Sequence, residues 1–160
     1  MLIFKKEDFF IRASSFDLTN EWNILRIMCG AFMFPHVAGK FLDWTPQAAT
    51  IGFFEKAGMV PGEMWVWIAA VSETLAGVAL VLGLCTRYAA LGAAAVLGVA
   101  VYALFVVKGF GWVWNKGGFE YPVFWALASV VVAIHEFKSV ATTAGNPAVG
   151  FGLGTARRGT

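Results

Sequence analysis

Residues 64–84 form an apolar stretch of about 21 residues that contains a single charged side chain, that of Glu73. At about 1.5 Å per residue, a helix of this length crosses the ~30 Å hydrocarbon core of a bilayer. A carboxylate at that depth costs about 2.5–3.5 kcal/mol on insertion scales, so such a residue normally faces other helices and marks a functional path. The stretch therefore predicts a membrane protein that holds a carboxylate inside its helix bundle.

The composition agrees with a chain that lies mostly in lipid. Only 14% of its 160 residues are charged and 59% are hydrophobic, whereas a soluble domain carries about 25% charged residues. The formal net charge of +2 gives no basis for a nucleic-acid partner, and we expect none. Cys29 and Cys85 lie in or beside apolar segments without a CxxC spacing, which favours two buried thiols over a disulfide or a metal pair.

Four hydrophobic segments follow one another with short connections. They cover residues 24–42, 64–84, 88–107 and 121–137. Asn20 followed by Glu21 favours a helix start before the first segment, because an N-cap oxygen and an acid complement the unpaired amides of a first turn. The pattern predicts an all-α polytopic membrane protein, a bundle of four transmembrane helices in which the fourth is short.

The basic residues predict the orientation of this bundle. If the N-terminus lies inside the cell, more lysines and arginines fall on the inner side than on the outer side, which favours both termini in the cytoplasm. Residues 1–20 mix basic and large apolar side chains and suit an amphipathic cytoplasmic segment, with a frayed tail as the equal alternative. Residues 21–138 form the membrane domain, and residues 139–160, rich in Gly, Ala and Thr, suit a disordered cytoplasmic tail.

Polar side chains of the first two segments are expected at one depth. Counting about 1.5 Å per residue, His36 on the first helix and Glu73 on the antiparallel second helix lie at nearly the same level. Lys40 follows His36 by one helical turn and shares its face, and Pro35 is expected to loosen the backbone hydrogen bonds beside it. An imidazole next to a carboxylate in a low-dielectric bundle can exchange a proton, so Glu73 and His36 are the candidate catalytic residues.

Two interpretations of this cluster stay open. It is either a site for a proton or a ligand, or a structural polar clamp between two helices, because hydrogen bonds also hold membrane helices together. A metal site is not expected, since one histidine and one carboxylate without a third ligand are too few for zinc or iron.

Tryptophan is concentrated near one end of the predicted bundle. In the proposed topology all tryptophans except Trp22 lie at or near the outer face, whereas an aromatic belt normally marks both interfaces. The surplus is a stacking wall for a planar lipid-soluble ligand, a docking surface for a partner, or a simple belt. Trp65 and Trp112 are the candidate stacking residues, and Lys40 and Glu120 are the candidate polar groups that contact a ligand and relay protons outward.

Four stretches of the chain resemble the DoxX family. Residues 73–90 read ETLAGVALVLGLCTRYAA, residues 54–61 read FEKAGMVP and residues 117–122 read GGFEYP. The fourth stretch lies in the first hydrophobic segment and contains Arg26, Gly30, Phe34, His36 and Lys40. The resemblance extends over residues 25–137, essentially the whole predicted membrane domain.

The resemblance implies a four-helix, multi-pass protein of the bacterial inner membrane. The family includes a subunit of a thiosulfate:quinone oxidoreductase, a membrane component of redox-defence complexes, and assembly factors. Quinone is therefore the cofactor that the resemblance suggests, although the sequence establishes none. Protein subunits are the expected partners besides the lipid bilayer.

Together these observations predict an integral membrane subunit of a quinone-linked oxidoreductase or redox-stress complex, with a buried His/Glu site in the outer half of the bilayer. The alternative is a non-catalytic scaffold or assembly subunit of a larger membrane complex. The chain has no recognisable redox centre, flavin motif or nucleophile triad. The sequence therefore leaves open whether the chain is itself an enzyme.

Overall fold

The structure, a computed structural model, describes residues 9–145. Within these residues the chain forms six α-helices. They are α1 (Glu21–Ala31), α2 (Met33–Ala38), α3 (Ala48–Lys56), α4 (Gly62–Leu82), α5 (Thr86–Lys108) and α6 (Glu120–Gly145). Two short strands, β1 (Phe41–Leu42) and β2 (Thr45–Pro46), form an antiparallel hairpin between α2 and α3. The ends of the predicted amphipathic segment and tail, residues 1–8 and 146–160, lie outside the described residues.

Three helices of the described chain are long and apolar enough to cross a membrane. They are Gly62–Leu82, Thr86–Lys108 and Glu120–Thr142. At most about a third of each span is buried inside the protein, and most of the remaining side chains are apolar. A surface of this kind is stable only against hydrocarbon. The chain is therefore a mostly helical, multi-pass membrane protein in contact with the lipid bilayer.

The first hydrophobic segment is not the single helix predicted over residues 24–42. It divides at Phe32 into α1 and α2, and residues 41–46 form the hairpin. The break follows from Pro35, which has no N–H for the carbonyl one turn earlier and whose ring clashes with it. The helix start was predicted correctly, because the Asn20 side chain accepts a hydrogen bond from the backbone N–H of Trp22 at 2.9 Å.

The fourth hydrophobic segment is longer than predicted. The predicted range was 121–137, whereas α6 extends over Glu120–Gly145. Residues 138–144 contain neither glycine nor proline, so nothing in the local sequence ends the helix before Gly145. The helix thus continues into the segment that was predicted to be a tail.

Small residues let α1 approach α4 at backbone distance. A Cβ atom added at Gly30 would lie 2.8 Å from the carbonyl oxygen of Gly77, and one added at Gly77 would lie 3.0 Å from the carbonyl oxygen of Gly30. Close crossings of this kind are typical of membrane helices, where packing replaces the hydrophobic effect. The crossing brings the end of the first hydrophobic segment close to the middle of α4.

Candidate functional site

Glu73 forms an ion pair with Lys40, between the end of α2 and the middle of α4. The Lys40 Nζ atom donates to both carboxylate oxygens of Glu73, at 2.8 and 2.6 Å. It also donates to the backbone carbonyl of His36 at 3.0 Å. Only 8% of Glu73 is exposed. These three acceptors match the three N–H donors of an ammonium group, so every donor of the Lys40 side chain has a partner.

The backbone around Lys40 is held by one residue, Gln47, which follows the hairpin. Its side-chain Nε2 atom donates to the carbonyls of Gly39 and Phe41 at 3.1 and 3.2 Å. Its backbone N–H donates to the carbonyl of Lys40 at 2.9 Å. Three successive carbonyls thus bind a single residue, which fixes the direction in which Lys40 leaves the chain. A contact across seven residues of sequence, between a loop amide and a hairpin, has no local signal in the sequence.

His36 lies next to this pair but faces α6. Its ring is stacked on Tyr121, with centroids 6.2 Å apart and planes at 16°, and lies 5.3 Å from the ring of Trp125. Within residues 9–145, no hydrogen bond joins the His36 ring to Glu73. His36 and Glu73 are therefore linked through Lys40, which binds the carbonyl of one and the carboxylate of the other.

The predicted ligand-binding residues fall into two groups. Glu120 and Trp112 line a groove of about 370 Å³ along the start of α6, which we call the α6 groove. Its other lining residues are Trp114, Tyr121, Val123, Phe124 and Leu127. The Glu120 carboxylate accepts a long hydrogen bond from the backbone N–H of Trp114, at 3.4 Å. Lys40 belongs to the ion pair instead, and Trp65 is half-buried on α4 outside this groove. Tyr121 lies between this groove and the ion pair, because it lines the groove and stacks on His36, whose carbonyl binds Lys40.

A second groove, of about 410 Å³, lies between α2 and α4 and was not predicted. It is lined by Phe34, Val37, Ala38, Phe41, Trp44, Trp67, Ala70, Val71, Thr74 and Leu75. We call it the α2–α4 groove. The helical spacing of Trp67, Ala70 and Thr74 around Glu73 is the signal that could have predicted its α4 side.

A different buried charge occupies the opposite end of α4. Arg26 is 3% exposed. It donates to the carbonyls of Leu80, Val81 and Ser15, the bond to Val81 being 3.1 Å long. The last carbonyls of a helix have no intrahelical partner and carry the negative end of the helix dipole, which a guanidinium satisfies. From the sequence alone, the position of Arg26 near the start of the first hydrophobic segment favours a side chain that reaches toward the lipid headgroups. The structure corrects this interpretation, because the residue caps α4.

Arg87 is also buried rather than directed to the headgroups. It is 6% exposed and lies 4.9 Å from the ring centroid of Tyr88 and 5.7 Å from that of Phe137. Cation–π contacts of this kind stabilise a desolvated guanidinium between helices. Arg26 thus connects α1 to α4, and Arg87 connects α5 to α6, at the end of the bundle opposite to Lys40.

The polar groups of Lys40, Glu73 and His36, which we call the Lys40 end of the bundle, can exchange protons. The described residues offer no metal centre. No group of three or more His, Cys, Asp or Glu side chains in residues 9–145 is arranged to hold a metal ion. Cys29 is buried and unbridged, and its backbone carbonyl accepts a hydrogen bond from the Trp125 indole at 3.1 Å. The arrangement at the Lys40 end therefore favours proton transfer or polar ligand contact by side chains.

Comparison with known proteins connects this geometry to a family. The model of the DoxX family matches residues 22–109. The matched range includes Lys40, Glu73 and His36 and ends before Glu120 and α6. No curated protein and no solved structure matches the chain. Since the match covers more than half of the 160 residues and contains the buried ion pair, the chain belongs to the DoxX family.

Proposed function

We propose that this DoxX-family protein is an integral subunit of a quinone-linked oxidoreductase or redox-stress complex in the bacterial inner membrane. In this proposal the Lys40–Glu73 pair exchanges protons with a quinone, and a partner subunit supplies the electrons. Two of the residues predicted to contact the ligand, Trp112 and Glu120, share the groove at the start of α6. Lys40, Glu120, Trp65 and Trp112 remain the predicted ligand-binding set.

The observation that carries the proposal is the burial of the Lys40–Glu73 pair near the middle of a membrane helix. A buried ion pair is often no more stable than apolar residues of the same volume, so packing alone gives no reason for it. Ionisable groups at membrane depth instead mark proton relays and ligand sites. The pair also adjoins His36, whose side chain changes charge near neutral pH in ordinary surroundings.

In the proposed reaction the electrons come from a partner subunit. A quinone becomes a quinol when it takes up two electrons and two protons, and no group of three or more His, Cys, Asp or Glu side chains in residues 9–145 is arranged to hold a metal ion. Glu73 can accept or release a proton, and Lys40 stabilises its carboxylate form. The proposed division of labour is that the partner transfers electrons while this chain moves protons and holds the ring.

We further propose that α1 and α2 together act as a fourth span and that both termini face the cytoplasm. The two helices continue from Glu21 to Ala38 with one break, and Arg26 and Lys40 contact opposite parts of α4. Broken helices occur in membranes where neighbouring protein satisfies the freed backbone groups. In this topology the Arg26 end is cytoplasmic, as the distribution of basic residues favours, and the ion pair lies toward the outer half of the bilayer.

The test is substitution of Glu73 by its uncharged isostere. Glu73→Gln keeps hydrogen-bonding atoms near Lys40 but cannot exchange a proton. We expect decylubiquinone reduction by the complex, purified from its own membrane through a tag on this chain, to fall by at least about a hundredfold, the lower end of what a positioned proton-transfer group contributes. Glu63→Gln is the matched control, because Glu63 is an exposed acid in the first turn of the same helix. Full activity of Glu73→Gln would refute the proposal.

A second candidate is a non-catalytic scaffold or assembly subunit. Large apolar side chains on α1 and α6 face away from the protein, among them Met28, Phe124 and Leu127. Such a surface fits lipid or a neighbouring membrane subunit. Native mass spectrometry of the gently extracted complex separates the candidates. A quinone lost in Glu73→Gln supports the redox subunit, whereas a constant protein partner without small ligand supports the scaffold.

A further inference from the structure

The α2–α4 groove is lined almost entirely by carbon. Thr74 contributes the one hydroxyl in its lining, and that hydroxyl donates to the carbonyl of Ala70 at 2.7 Å. The lining residues carry no charged side chain, and besides this hydroxyl their polar side-chain groups are the indole N–H groups of Trp44 and Trp67. A groove of about 410 Å³ lies within the size range of small-molecule sites, about 300–1,000 Å³.

Aromatic rings from both helices and from the hairpin form one part of this groove. Phe41 of β1 and Trp67 of α4 contact each other, with centroids 4.9 Å apart and planes at 54°. Trp44 extends the aromatic part from the hairpin turn. Rings in tilted contact present faces and edges to a third ring, the geometry that aromatic pairs prefer over a sandwich. A hydrocarbon chain has no ring, so it does not need tilted aromatic rings around it.

The backbone that carries Trp44 is in an unfavourable conformation. The hairpin turn has positive φ at both central residues, 47° at Asp43 and 65° at Trp44. Turns of this type normally contain Asn-Gly or Asp-Gly, because a bulky residue is strained at positive φ. Trp44 is nevertheless 92% exposed, so burial of the indole does not offset the strain. Strain at an exposed aromatic residue beside a groove indicates a binding role.

The groove and the ion pair share the α2–α4 interface at the same level. Ala70 and Thr74 line the groove three residues before and one residue after Glu73, and Phe41 follows Lys40 directly. Two of the lining residues, Ala38 and Ala70, have only a methyl group as a side chain. A ring in this groove therefore lies beside the buried Lys40–Glu73 pair.

We propose that the α2–α4 groove is the binding site for a flat, uncharged, lipid-soluble ring that carries a hydrocarbon chain, and that the ring is held by Phe41, Trp44 and Trp67. The ligand enters sideways from the bilayer, because the groove opens on the outside of the helices. The inference rests on the proposed function and deepens it: it moves ring binding from Trp65 and Trp112 to the rings of this groove.

The test is site mapping with a photoactivatable short-chain azidoquinone. The full-length protein is labelled in its own membrane and again in nanodiscs, with and without excess decylubiquinone, and the labelled peptides are identified by mass spectrometry. We expect labelling that decylubiquinone displaces on residues 34–44 and 67–75. Labelling of the α6 groove instead, or labelling of the α2–α4 groove that decylubiquinone does not displace, would overturn the inference. The second result would assign the groove to lipid acyl chains.

Matched tryptophan variants measure the contribution of the rings. Trp67→Leu and Trp44→Leu keep apolar bulk but remove the ring, so the concentration of decylubiquinone that halves labelling should rise about threefold to tenfold. Trp22→Leu is the control, because Trp22 stacks on His135 and lines neither this groove nor the α6 groove, and its value should be unchanged. Equal values in all three variants would contradict a ring site. Gel filtration and thermal unfolding verify that each variant is folded.

Failure of this inference is distinguishable from failure of the proposed function. If Glu73→Gln abolishes quinone reduction but the label falls on the α6 groove, the inference is wrong and the proposed function stands. If the label falls on the α2–α4 groove and Glu73→Gln is fully active, the groove binds the ring and the proton role of Glu73 is wrong. Labelling that is displaced nowhere, together with full activity of Glu73→Gln, removes both.

Discussion

Two contacts between the first hydrophobic segment and α4 involve a buried charged side chain, and the partner of the charge differs between them. At one end, Arg26 donates to backbone carbonyls of α4, including that of Val81. At the other end, Lys40 donates to the carboxylate of Glu73. A guanidinium bound to carbonyls has no partner that can change its protonation state, whereas an ammonium–carboxylate pair has one. Burial alone therefore does not mark a functional charge; the chemistry of its partner does.

The largest expected effect comes from removing one member of the ion pair. Lys40→Met leaves the Glu73 carboxylate between apolar helices without its partner, and breaking a buried pair costs about 3–5 kcal/mol. We expect the free energy of unfolding, measured by titration with a denaturing detergent, to fall by about that amount. Comparison with the Arg26 variants then shows whether ion pairing at Lys40 contributes more to the free energy of unfolding than capping by Arg26 does.

The control for this variant replaces both charges. Lys40→Met combined with Glu73→Leu puts apolar side chains of similar volume at both positions, a change that is often neutral for stability. The double variant should therefore be nearly as stable as the wild type while it lacks proton exchange. A double variant as unstable as Lys40→Met alone would mean that the ammonium matters through its bond to the His36 carbonyl rather than through Glu73.

An intermediate effect is expected at the opposite end. Arg26→Leu removes the donor to the carbonyls of Val81 and Ser15, whereas the carbonyl of Leu80 keeps the N–H of Gly83. Each unsatisfied buried group costs about 1–3 kcal/mol. We expect a loss of about 2–3 kcal/mol, measured by the same titration. Arg26→Lys keeps the charge but not the forked geometry, so its stability should fall between the two.

The comparison predicts that Arg26 variants change stability without changing ligand affinity. The folded fraction of Arg26→Leu should therefore bind decylubiquinone as the wild type does. Lys138→Leu is the control, because Lys138 is an exposed cation on α6, and it should change neither quantity. A lower ligand affinity in folded Arg26→Leu would break the distinction between the two ends.

The smallest effect is expected for Gln47, which supports Lys40 from the hairpin side. Gln47→Ala removes the side-chain donor to the carbonyls of Gly39 and Phe41. We expect a loss of about 1 kcal/mol, the usual net value of a hydrogen bond, and faster hydrogen–deuterium exchange over residues 36–42. Asn115→Ala is the control, because Asn115 is an exposed residue of the short 3₁₀ helix Trp114–Lys116. Unchanged exchange in Gln47→Ala would mean that the hairpin holds Lys40 without this side chain.

The sequence predicted the membrane helices and the depth of the polar cluster, because both depend on quantities local to each segment. Hydropathy and length located the spans that became α4, α5 and α6. The rise per residue put His36 and Glu73 at one level and Lys40 one helical turn farther out, and it is Lys40 that contacts Glu73. What the count along a helix does not contain is its rotation about the axis. That rotation depends on packing at Gly30 and Gly77, and it turned His36 toward α6 and Lys40 toward Glu73.

The remaining errors have the same origin. Proline indicated a weakened helix but not that the chain would break at Phe32 and turn back as a hairpin. Arg26 looked like a headgroup ligand, because its bonds to α4 join residues more than fifty positions apart. The positive φ of Trp44 contradicts the local preference of a bulky residue, so no pattern along the chain predicts it.

The sequence by itself determined that this chain is a helical membrane protein with a carboxylate at bilayer depth, since apolar length and the cost of burying charge are properties of a segment. Only the tertiary structure decided which cation pairs with Glu73, that Arg26 caps a helix, and that an aromatic groove adjoins the ion pair. Those outcomes depend on contacts between distant segments. Such contacts are set by the rotation and crossing of packed helices, which no single segment specifies.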